Sequence, residues 1–367
     1  MRRYRLVLIV GARPNFMKSA PLLAQLKKYP DKFETVLIHT GQHYDHNLSQ
    51  LFFEQLKMSQ PDVYLGVGSG THAEQTGSIM VGLEKELIRL RPDLVVVFGD
   101  VNSTIAAAIV AAKLCLKLAH VEAGLRSFDN RMPEEINRIV TDRLSDYLFV
   151  TEDAGMVNLE AEGVSREKVF YTGNIMIDSL VANLEIAGGS DILGRLSLEP
   201  RSYVAMTMHR PSNVDDPEVL GRLMSCIEKI SEKLPVVFPC HPRTRSRIEQ
   251  FGLGAGSTGT GLRLIEPLGY LDFLKLQSEA RIVLTDSGGI QEETTYLGIP
   301  CITMRENTEL LATIDEGTNT LCGTDPECIL ATVEQILDGR GKKGTIPRLW
   351  DGRSSERIVD VLAQKLG

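Results

Sequence analysis

Short apolar runs alternate with longer amphipathic segments along the chain, a pattern typical of parallel β-strands joined by helices. In the first half the apolar runs lie at residues 5–10, 34–40, 94–98, 118–121, 147–150 and 168–171. After Gly188-Gly189-Ser190, which we interpret as a linker, they resume at residues 203–208, 235–239, 262–265, 281–284, 301–304 and 318–321. The pattern predicts an α/β protein with two doubly wound parallel-sheet (Rossmann-like) domains that face a central cleft. We expect the domains at residues 1–175 and 176–354, with a C-terminal helix over residues 355–367 that packs back on the first domain.

The stretch over residues 281–304 shows the repeating unit most clearly. It contains an apolar strand, the turn Asp286-Ser287-Gly288-Gly289, a helix over residues 290–297 that Gly298 ends, and a second strand. The two glycines of the turn let the backbone approach a ligand, and the helix amides behind them attract an anion. This turn predicts a site for a phosphate joined to a ribose, with a carboxylate of the first helical turn, where Glu292 and Glu293 lie, as a partner for sugar hydroxyls. A tight turn without a ligand is the alternative.

Acidic side chains follow consecutive strands in the first half. Asp100 and Glu122 emerge at the same end of a parallel sheet, so we expect them to lie close together. Two nearby carboxylates suit proton transfer, because repulsion and burial raise the pKa of one of them. Glu134 is a third candidate at the start of the next helix. Helix capping and interaction with the helix dipole are the alternatives for these acids.

Basic and polar candidates lie near the same edge of the predicted sheet. Arg13 and Lys18 follow the first strand, where open α/β sheets bind ligands. Arg138 lies one turn into the helix that Glu134 begins, and His43 lies on the loop after the second strand. These side chains are candidate substrate contacts, and solvated surface charges are the alternative.

Histidine and arginine side chains follow strands of the second half in two clusters. His209 and Arg210 come after one strand, and His241 and Arg243 come after the next. Together with the Ser-Gly-Gly turn, these clusters predict a diphosphate site. We therefore expect a nucleotide to be anchored by the second domain and its appended group to face the acids of the first.

Composition narrows the class of protein. The chain has 367 residues, of which 43% are hydrophobic, and this length suits two domains. Its net charge of −8 argues against nucleic-acid partners or an acidic membrane surface. Six scattered cysteines indicate reduced core thiols, and three histidines between residues 39 and 46 lack the partners of a metal site. The first apolar run is too short for a signal peptide or a membrane span. We expect a cytoplasmic enzyme without a metal or cofactor.

Eight motifs in order resemble those of the non-hydrolysing UDP-N-acetylglucosamine 2-epimerases, nearly end to end. They are GARPNFMK at residues 11–18, TGQH at 40–43, FGDVNST at 98–104, HVEAGLRS at 120–127, PEEINR at 133–138, HRPSN at 209–213, HPR at 241–243 and DSGGIQEE at 286–293. The resemblance implies the glycosyltransferase-B fold, a UDP-sugar substrate, no cofactor and a homodimer. It implies elimination of UDP from UDP-N-acetylglucosamine to give 2-acetamidoglucal, followed by re-addition that gives UDP-N-acetylmannosamine.

The matching motifs also imply roles for single residues. The acid/base candidates are Asp100, Glu122 and Glu134, and His209 is a catalytic or diphosphate-contacting residue. Arg13 and Lys18 stabilise the departing phosphate, Ser287, Gly288 and Gly289 hold the diphosphate, and Glu293 contacts the ribose. Further substrate contacts are implied for His43, Arg138, Arg210 and His241.

The sequence departs from the family pattern at two places. The family has Thr-Glu-Arg-Pro where this chain has Thr308-Glu309-Leu310-Leu311, and the missing arginine bears on the contacts with the uridine or the sugar. His241-Pro242-Arg243 differs from members regulated by UDP-N-acetylglucosamine, although Gln42, Gln75 and Arg210 match positions tied to that regulation. The alternatives are a 2-epimerase of a modified UDP-sugar (a diacetamido-uronic acid or a 6-deoxy sugar), a glycosyltransferase, a hydrolysing epimerase and a non-catalytic UDP-sugar sensor.

Overall fold

The computed structural model describes residues 2–42, 58–253 and 261–367. The chain divides into two compact units, Met1–Ala182 with Arg348–Gly367 and Asn183–Pro347. The predicted boundaries at residues 175 and 354 differ from this division. Residues 176–182 belong to the first unit, since Ser179 donates a hydrogen bond to the Met17 carbonyl there. The expected linker at Gly188-Gly189-Ser190 therefore lies beyond the division, which falls inside a helix.

Thirteen strands lie in the described part of the chain. They are β1 (Tyr4–Val10), β2 (Phe33–His39), β3 (Val63–Tyr64), β4 (Leu94–Phe98), β5 (Leu118–Ala123), β6 (Tyr147–Val150), β7 (Val169–Tyr171), β8 (Val204–Thr207), β9 (Val236–Pro239), β10 (Leu262–Ile265), β11 (Ile282–Thr285), β12 (Cys301–Thr303) and β13 (Asn319–Leu321). All paired strands are parallel.

Helices connect these strands in both units. They are α1 (Arg13–Leu26), α2 (His72–Leu90), α3 (Asn102–Lys113), α4 (Pro133–Leu144), α5 (Asp153–Ala161), α6 (Ile175–Gly188), α7 (Ile192–Arg195), α8 (Pro211–Val214), α9 (Pro217–Ser231), α10 (Pro242–Gln250), α11 (Tyr270–Ser278), α12 (Gly288–Leu297), α13 (Leu311–Asp315), α14 (Pro326–Leu337) and α15 (Ser354–Leu366). A 3₁₀ turn, Arg166–Lys168, precedes β7.

Each unit is built on one twisted parallel sheet with helices on its faces. The order of strands is β3-β2-β1-β4-β5-β6-β7 in the first unit and β10-β9-β8-β11-β12-β13 in the second. The prediction of two doubly wound α/β domains is confirmed. In both sheets the order reverses beside the central strand, between β1 and β4 and between β8 and β11. Open α/β sheets bind ligands at the carboxyl ends of strands at such a reversal.

The C-terminal segment is part of the first unit. Helix α15 packs against α1, and the indole of Trp350, which is 1% exposed, donates a 3.0 Å hydrogen bond to the Thr151 carbonyl. Asp178 on α6 accepts hydrogen bonds from the backbone of Ser354 (2.9 Å) and Ser355 (2.7 Å). This carboxylate therefore binds the first amides of α15, which have no partner within the helix.

We expect Asp178→Asn to loosen α15 without changing the chemistry of the site described below. The asparagine keeps one acceptor oxygen and loses the charge that favours a helix N-terminus, so the free energy of unfolding should fall by about 1 kcal/mol. Thermal unfolding and hydrogen exchange of residues 354–366 measure the effect. Exchange protection equal to that of the native protein would contradict the assigned role.

The expectation of six reduced cysteines is wrong at one pair. Cys322 follows β13 and Cys328 lies in the first turn of α14, and the tight connection between them brings their Cα atoms within 5.5 Å and closes a disulfide. The remaining cysteines are free thiols.

No helix in the described part of the chain is long and apolar enough to cross a membrane.

Candidate active site

The loop after β1 is fixed to the end of β4 by one buried asparagine. The Asn15 side-chain oxygen accepts hydrogen bonds from the backbone of Gly11 (3.0 Å) and Ala12 (3.2 Å), and its amide donates to the Phe98 carbonyl (2.9 Å). This clamp joins the two strand ends at the reversal in the first sheet. It places Arg13 in an exposed position and turns Lys18, one turn further along α1, into the interior.

Lys18 and Glu122 form a buried ion pair at this strand edge. Lys18 Nζ lies 2.5 Å from Glu122 Oε2, and the two side chains are 8% and 9% exposed. Gly99 lies directly over the pair with a φ of +57°, and a Cβ there would come within 3.0 Å of Lys18 Nζ. Position 99 therefore needs a glycine for both its backbone conformation and the space above the ion pair.

The backbone of Glu122 has an uncommon conformation. Its φ is +76°, a left-handed value that is rare for a residue with a side chain. The pairing of β5 with β6 shifts register between Val121 and Ala123, so Glu122 sits in a bulge. The bulge turns the Glu122 side chain away from the ordinary alternation of the strand and towards Lys18. Such local strain persists where the surrounding structure imposes it, which is common at active sites.

The charge of Glu122 is set by opposing effects. Burial raises the pKa of its carboxyl, the Lys18 ammonium opposes that rise, and the negative charge of Asp100 adds to it. The net effect is that the pKa of the Glu122 carboxyl is raised. A carboxyl whose pKa is raised towards the working pH is suited to both taking and giving a proton.

Asp100 belongs to a second buried charge network. The Arg138 guanidinium pairs with Asp100 through one nitrogen and with Glu135 through another, at 2.6 Å. Glu135 in turn accepts hydrogen bonds from the backbone of Ser127 and Phe128, both at 2.9 Å. Asn137 donates to the Asp100 carbonyl at 2.8 Å. Helix α4 thus holds Asp100 and shapes the loop before it.

The remaining first-unit candidates differ in how firmly the structure holds them. Glu134 is half-buried in the first turn of α4, and within the described residues its side chain makes no hydrogen bond or ion pair. Predicted contact residue His43 lies outside the described residues. Gln42 and Gln75 are buried, and they bind the Ser103 amide (2.9 Å) and the Gly68 carbonyl (2.9 Å), respectively.

In the second unit, Asp286 organises the strand ends at the sheet's reversal. Its buried carboxylate accepts hydrogen bonds from the backbone of His209 (2.9 Å) and Arg210 (2.8 Å) and from the Asn213 amide (3.2 Å). The His209 ring lies 3.1 Å from its other oxygen. Burial tends to raise the pKa of Asp286, but these donors and the His209 charge outweigh it, so the pKa is lowered. The half-exposed His209 side chain is thereby anchored at its Nδ1 edge.

The Ser-Gly-Gly turn begins a helix earlier than the sequence indicated. Helix α12 starts at Gly288 and not at residue 290, with Ser287 as its N-cap. The Ser287 hydroxyl makes no capping bond, and the first amides of a helix have no partner inside it. A hydroxyl and backbone N–H groups at a helix N-terminus form a favourable environment for a phosphate.

The earlier start of α12 changes the position of Glu293. The expectation that Glu293 lies in the first helical turn is wrong, because two further residues precede it in the helix. Its side chain is 3% exposed and accepts hydrogen bonds from the Tyr270 hydroxyl (3.1 Å) and from Gln277. In this structure Glu293 thus joins α12 to α11 through its hydrogen bonds. A contact with a ribose stays a prediction.

His241 and Leu310 border the same turn region. His241 caps α10 and its Nδ1 accepts from the Arg243 amide at 3.3 Å, which requires the neutral tautomer. Burial, with the charges of His209 and Arg243, lowers the His241 pKa and favours that form. Leu310 is 3% exposed, and its Cδ1 lies 3.5 Å from the place of a Cβ on Gly288.

We expect Asp286→Asn to weaken binding of UDP, the ligand that the sequence resemblance implies, by about tenfold or more, because the asparagine cannot accept the backbone bonds of residues 209 and 210 and the His209 proton together. Calorimetric titration with UDP measures the loss. The control is Asp272→Asn, whose carboxylate pairs with Arg195 in the same unit and leaves UDP affinity unchanged. An unaltered affinity in Asp286→Asn would contradict the assigned role.

Sequence reasoning missed three residues that shape these sites: Asn15, Glu135 and Asp286. Asp286 had a usable signal, since it directly precedes the Ser-Gly-Gly turn. Asn15 lies at the third helical position, from which a side chain reaches back to the residues before the helix. Glu135 had no usable signal in the sequence, because only the structure shows which of the adjacent acids Glu134 and Glu135 faces inward.

Comparison with known proteins gives a consistent match. A family model described as UDP-N-acetylglucosamine 2-epimerase matches residues 24–363. A UDP-N-acetylglucosamine 2-epimerase of Methanococcus maripaludis is 40% identical, with 98% of each chain covered. A UDP-2,3-diacetamido-2,3-dideoxy-D-glucuronate 2-epimerase of Pseudomonas aeruginosa is 38% identical, with 98% of this chain and 99% of that protein covered.

A solved structure matches in fold as well as sequence. The crystal structure of the Methanocaldococcus jannaschii UDP-GlcNAc 2-epimerase in complex with UDP-GlcNAc and UDP has a TM-score of 0.90 and 41% identity, with 98% of this chain and 99% of that chain covered. The match covers both parallel sheets and the segments that carry the strand-end residues. The chain therefore belongs to the UDP-N-acetylglucosamine 2-epimerase family of isomerases.

Proposed function

We propose that this protein interconverts UDP-N-acetylglucosamine and UDP-N-acetylmannosamine without hydrolysis. The observation that carries the proposal is the buried Glu122 carboxyl, paired with Lys18 and placed next to Asp100. A sugar C2 proton is weakly acidic, so its removal needs a positioned base of raised pKa, and the Glu122 environment provides one. The family match and the M. jannaschii enzyme, whose structure contains UDP-GlcNAc and UDP, support the same substrate.

We assign the UDP part of the substrate to the second unit. The Ser287 hydroxyl and the amides of Gly288 and Gly289 would bind the diphosphate, since an anion is favoured at a helix N-terminus. His209, anchored by Asp286, would contact the same group or act in the reaction. Arg210, whose Nε donates to the Asp286 carbonyl at 3.0 Å, borders this site.

We assign the chemistry at C2 to the first unit. One carboxylate takes the proton from C2, the electron pair of the C–H bond forms the C1–C2 double bond, and the C1–O bond breaks to release UDP. A second acid then delivers a proton to the other face of C2 while a UDP oxygen re-forms the bond to C1. Asp100, Glu122 and Glu134 are the candidates for these two roles, and Arg13 and Lys18 would stabilise the charge on the leaving phosphate.

A 2-epimerase of a modified UDP-sugar is the second candidate. Leu310 replaces the arginine of the family motif beside Gly288, and a relative of 38% identity is named for UDP-2,3-diacetamido-2,3-dideoxy-D-glucuronate. A change from arginine to leucine removes a cation from the wall of the predicted UDP site. A homodimer and a cytoplasmic location stay predictions.

Turnover of the two UDP-sugars tests the proposal. Purified protein is incubated with each, and products are followed by NMR and chromatography. We expect UDP-N-acetylmannosamine from UDP-N-acetylglucosamine, and a kcat/KM at least about tenfold above that for the diacetamido-uronate. The reverse preference would establish the second candidate. Free N-acetylmannosamine would indicate a hydrolase, and binding without turnover would indicate a sensor.

A further inference from the structure

A fully buried histidine links the two strands that carry Asp100 and Glu122. His120 lies in β5 and is 0% exposed. Its Nε2 lies 2.8 Å from the carbonyl oxygen of Gly99, the residue before Asp100. Its Nδ1 lies 2.6 Å from Asp142 Oδ1 on α4. Both ring nitrogens thus face oxygen atoms.

The partners of His120 determine where its protons lie. A carbonyl oxygen only accepts hydrogen bonds, so Nε2 must carry a proton. The other oxygen of Asp142 accepts from the Gly124 amide at 3.0 Å and faces the Arg126 guanidinium at 2.8 Å. Because these donors favour an ionised carboxylate, the proton between Asp142 and His120 belongs on Nδ1.

The charged groups around the ring are a buried ion pair and its neighbours. Arg126 and Asp142 are both 1% exposed and neutralise each other, and Arg126 also lies 2.7 Å from Glu162, whose side chain is 38% exposed to solvent. The assignment of the ring protons therefore rests on the two hydrogen-bond partners of the ring. The further charges near this strand edge are Asp100, Glu122, Lys18, Arg138 and Glu135.

We propose that His120 is an imidazolium, protonated at both ring nitrogens, and serves as a positioning residue for Asp100 and Glu122. The ring donates to the Gly99 carbonyl, and it thereby holds the backbone that leads into Asp100. Asp142, on the other side of the ring, accepts from the Gly124 amide just after the Glu122 bulge. The two strand ends are thereby fixed by one charged hydrogen-bond chain. The fixed positive charge also favours the ionised form of Glu122. The catalytic consequence rests on the proposed function, whereas the protonation state does not.

The ring spectrum tests the protonation state directly. Protein labelled with ¹⁵N-histidine contains seven histidines, and His120 is identified by its loss in His120→Gln or its change in Asp142→Asn. We expect both ring nitrogens of His120 to be protonated at pH 7, because each faces an oxygen acceptor. Asp142→Asn keeps an acceptor oxygen but removes the negative charge that faces Nδ1, so His120 should become neutral there. A neutral ring in the native protein at pH 7 would overturn the proposal, whatever the substrate.

Kinetics test the positioning role. We expect His120→Gln, which can still donate to Gly99, to lower kcat by about 10- to 100-fold with KM changed less than about twofold. The acid limb of its pH profile should move to higher pH, because loss of a positive charge raises the pKa of Glu122 further. Asp178→Asn, which alters the start of α15 in the same unit, is the control. Native kcat and pH profile in His120→Gln would overturn the role; if that variant does not fold, the ring spectrum and Asp142→Asn decide.

Discussion

Glu122→Gln should lower the rate of epimerisation by about 10²- to 10⁴-fold, the usual range for loss of a positioned acid or base. Glutamine has the size of glutamate and can accept a hydrogen bond from Lys18, but it cannot take the C2 proton. Glu122 is 8% exposed and sits in a bulge held by its neighbours, so a water molecule is poorly placed to replace it. The effect should therefore be on kcat, with UDP affinity within about twofold of native.

The measurement combines turnover by NMR with calorimetric titration of UDP. Asp178→Asn is the matched control, because it also neutralises a buried carboxylate of the first unit but one that binds the start of α15. Its kcat per folded molecule should equal that of the native protein. If Glu122→Gln retains more than about a tenth of native kcat, Glu122 is not the base or acid.

Lys18→Met should lower the free energy of unfolding by about 3–5 kcal/mol at neutral pH, since it leaves the Glu122 charge buried without its partner. Folded Glu122 binds its proton more tightly than the unfolded chain does, because its pKa is raised in the native state. Its ionisation therefore weakens folding as the pH rises above its ordinary value of 4.5. In Lys18→Met the pKa rises further, so the destabilisation should shrink as the pH is lowered.

Denaturant unfolding between about pH 5 and pH 8 measures this effect. The double variant Lys18→Met/Glu122→Gln should regain a large part of the lost stability, because no buried charge is left unpaired. A loss of stability in Lys18→Met that does not depend on pH, with no recovery in the double variant, would show that Lys18 acts through packing alone.

Much of the fold followed from the pattern of apolar runs. Parallel strands buried on both faces form continuous apolar segments, and β4 and β11 are clear examples. Because parallel strands end at one edge of a sheet, the sequence alone places Asp100 and Glu122 near each other. The short β3, of two residues, has no such signal.

The finer features of the site depend on backbone detail and long-range packing. The left-handed φ of Glu122 comes from a register shift between β5 and β6, which no local pattern specifies. Glycines are poor helix formers, so propensity alone predicts a start of α12 later than Gly288. Glu134 and Glu135 are adjacent in sequence, but on a helix they point in directions about 100° apart. The division of the chain inside α6 likewise reflects the contact of Ser179 with α1.

The central claim is that this protein moves a proton at C2 of its UDP-sugar, and isotope incorporation tests it most directly. Native protein is incubated with UDP-N-acetylglucosamine in D₂O, and C2 is followed by NMR in both epimers. We predict deuterium at C2 of the product from the first turnover and of the recovered substrate as the reaction reverses. Formation of the epimer with the C2 hydrogen retained, or no epimer and no exchange, would contradict the claim.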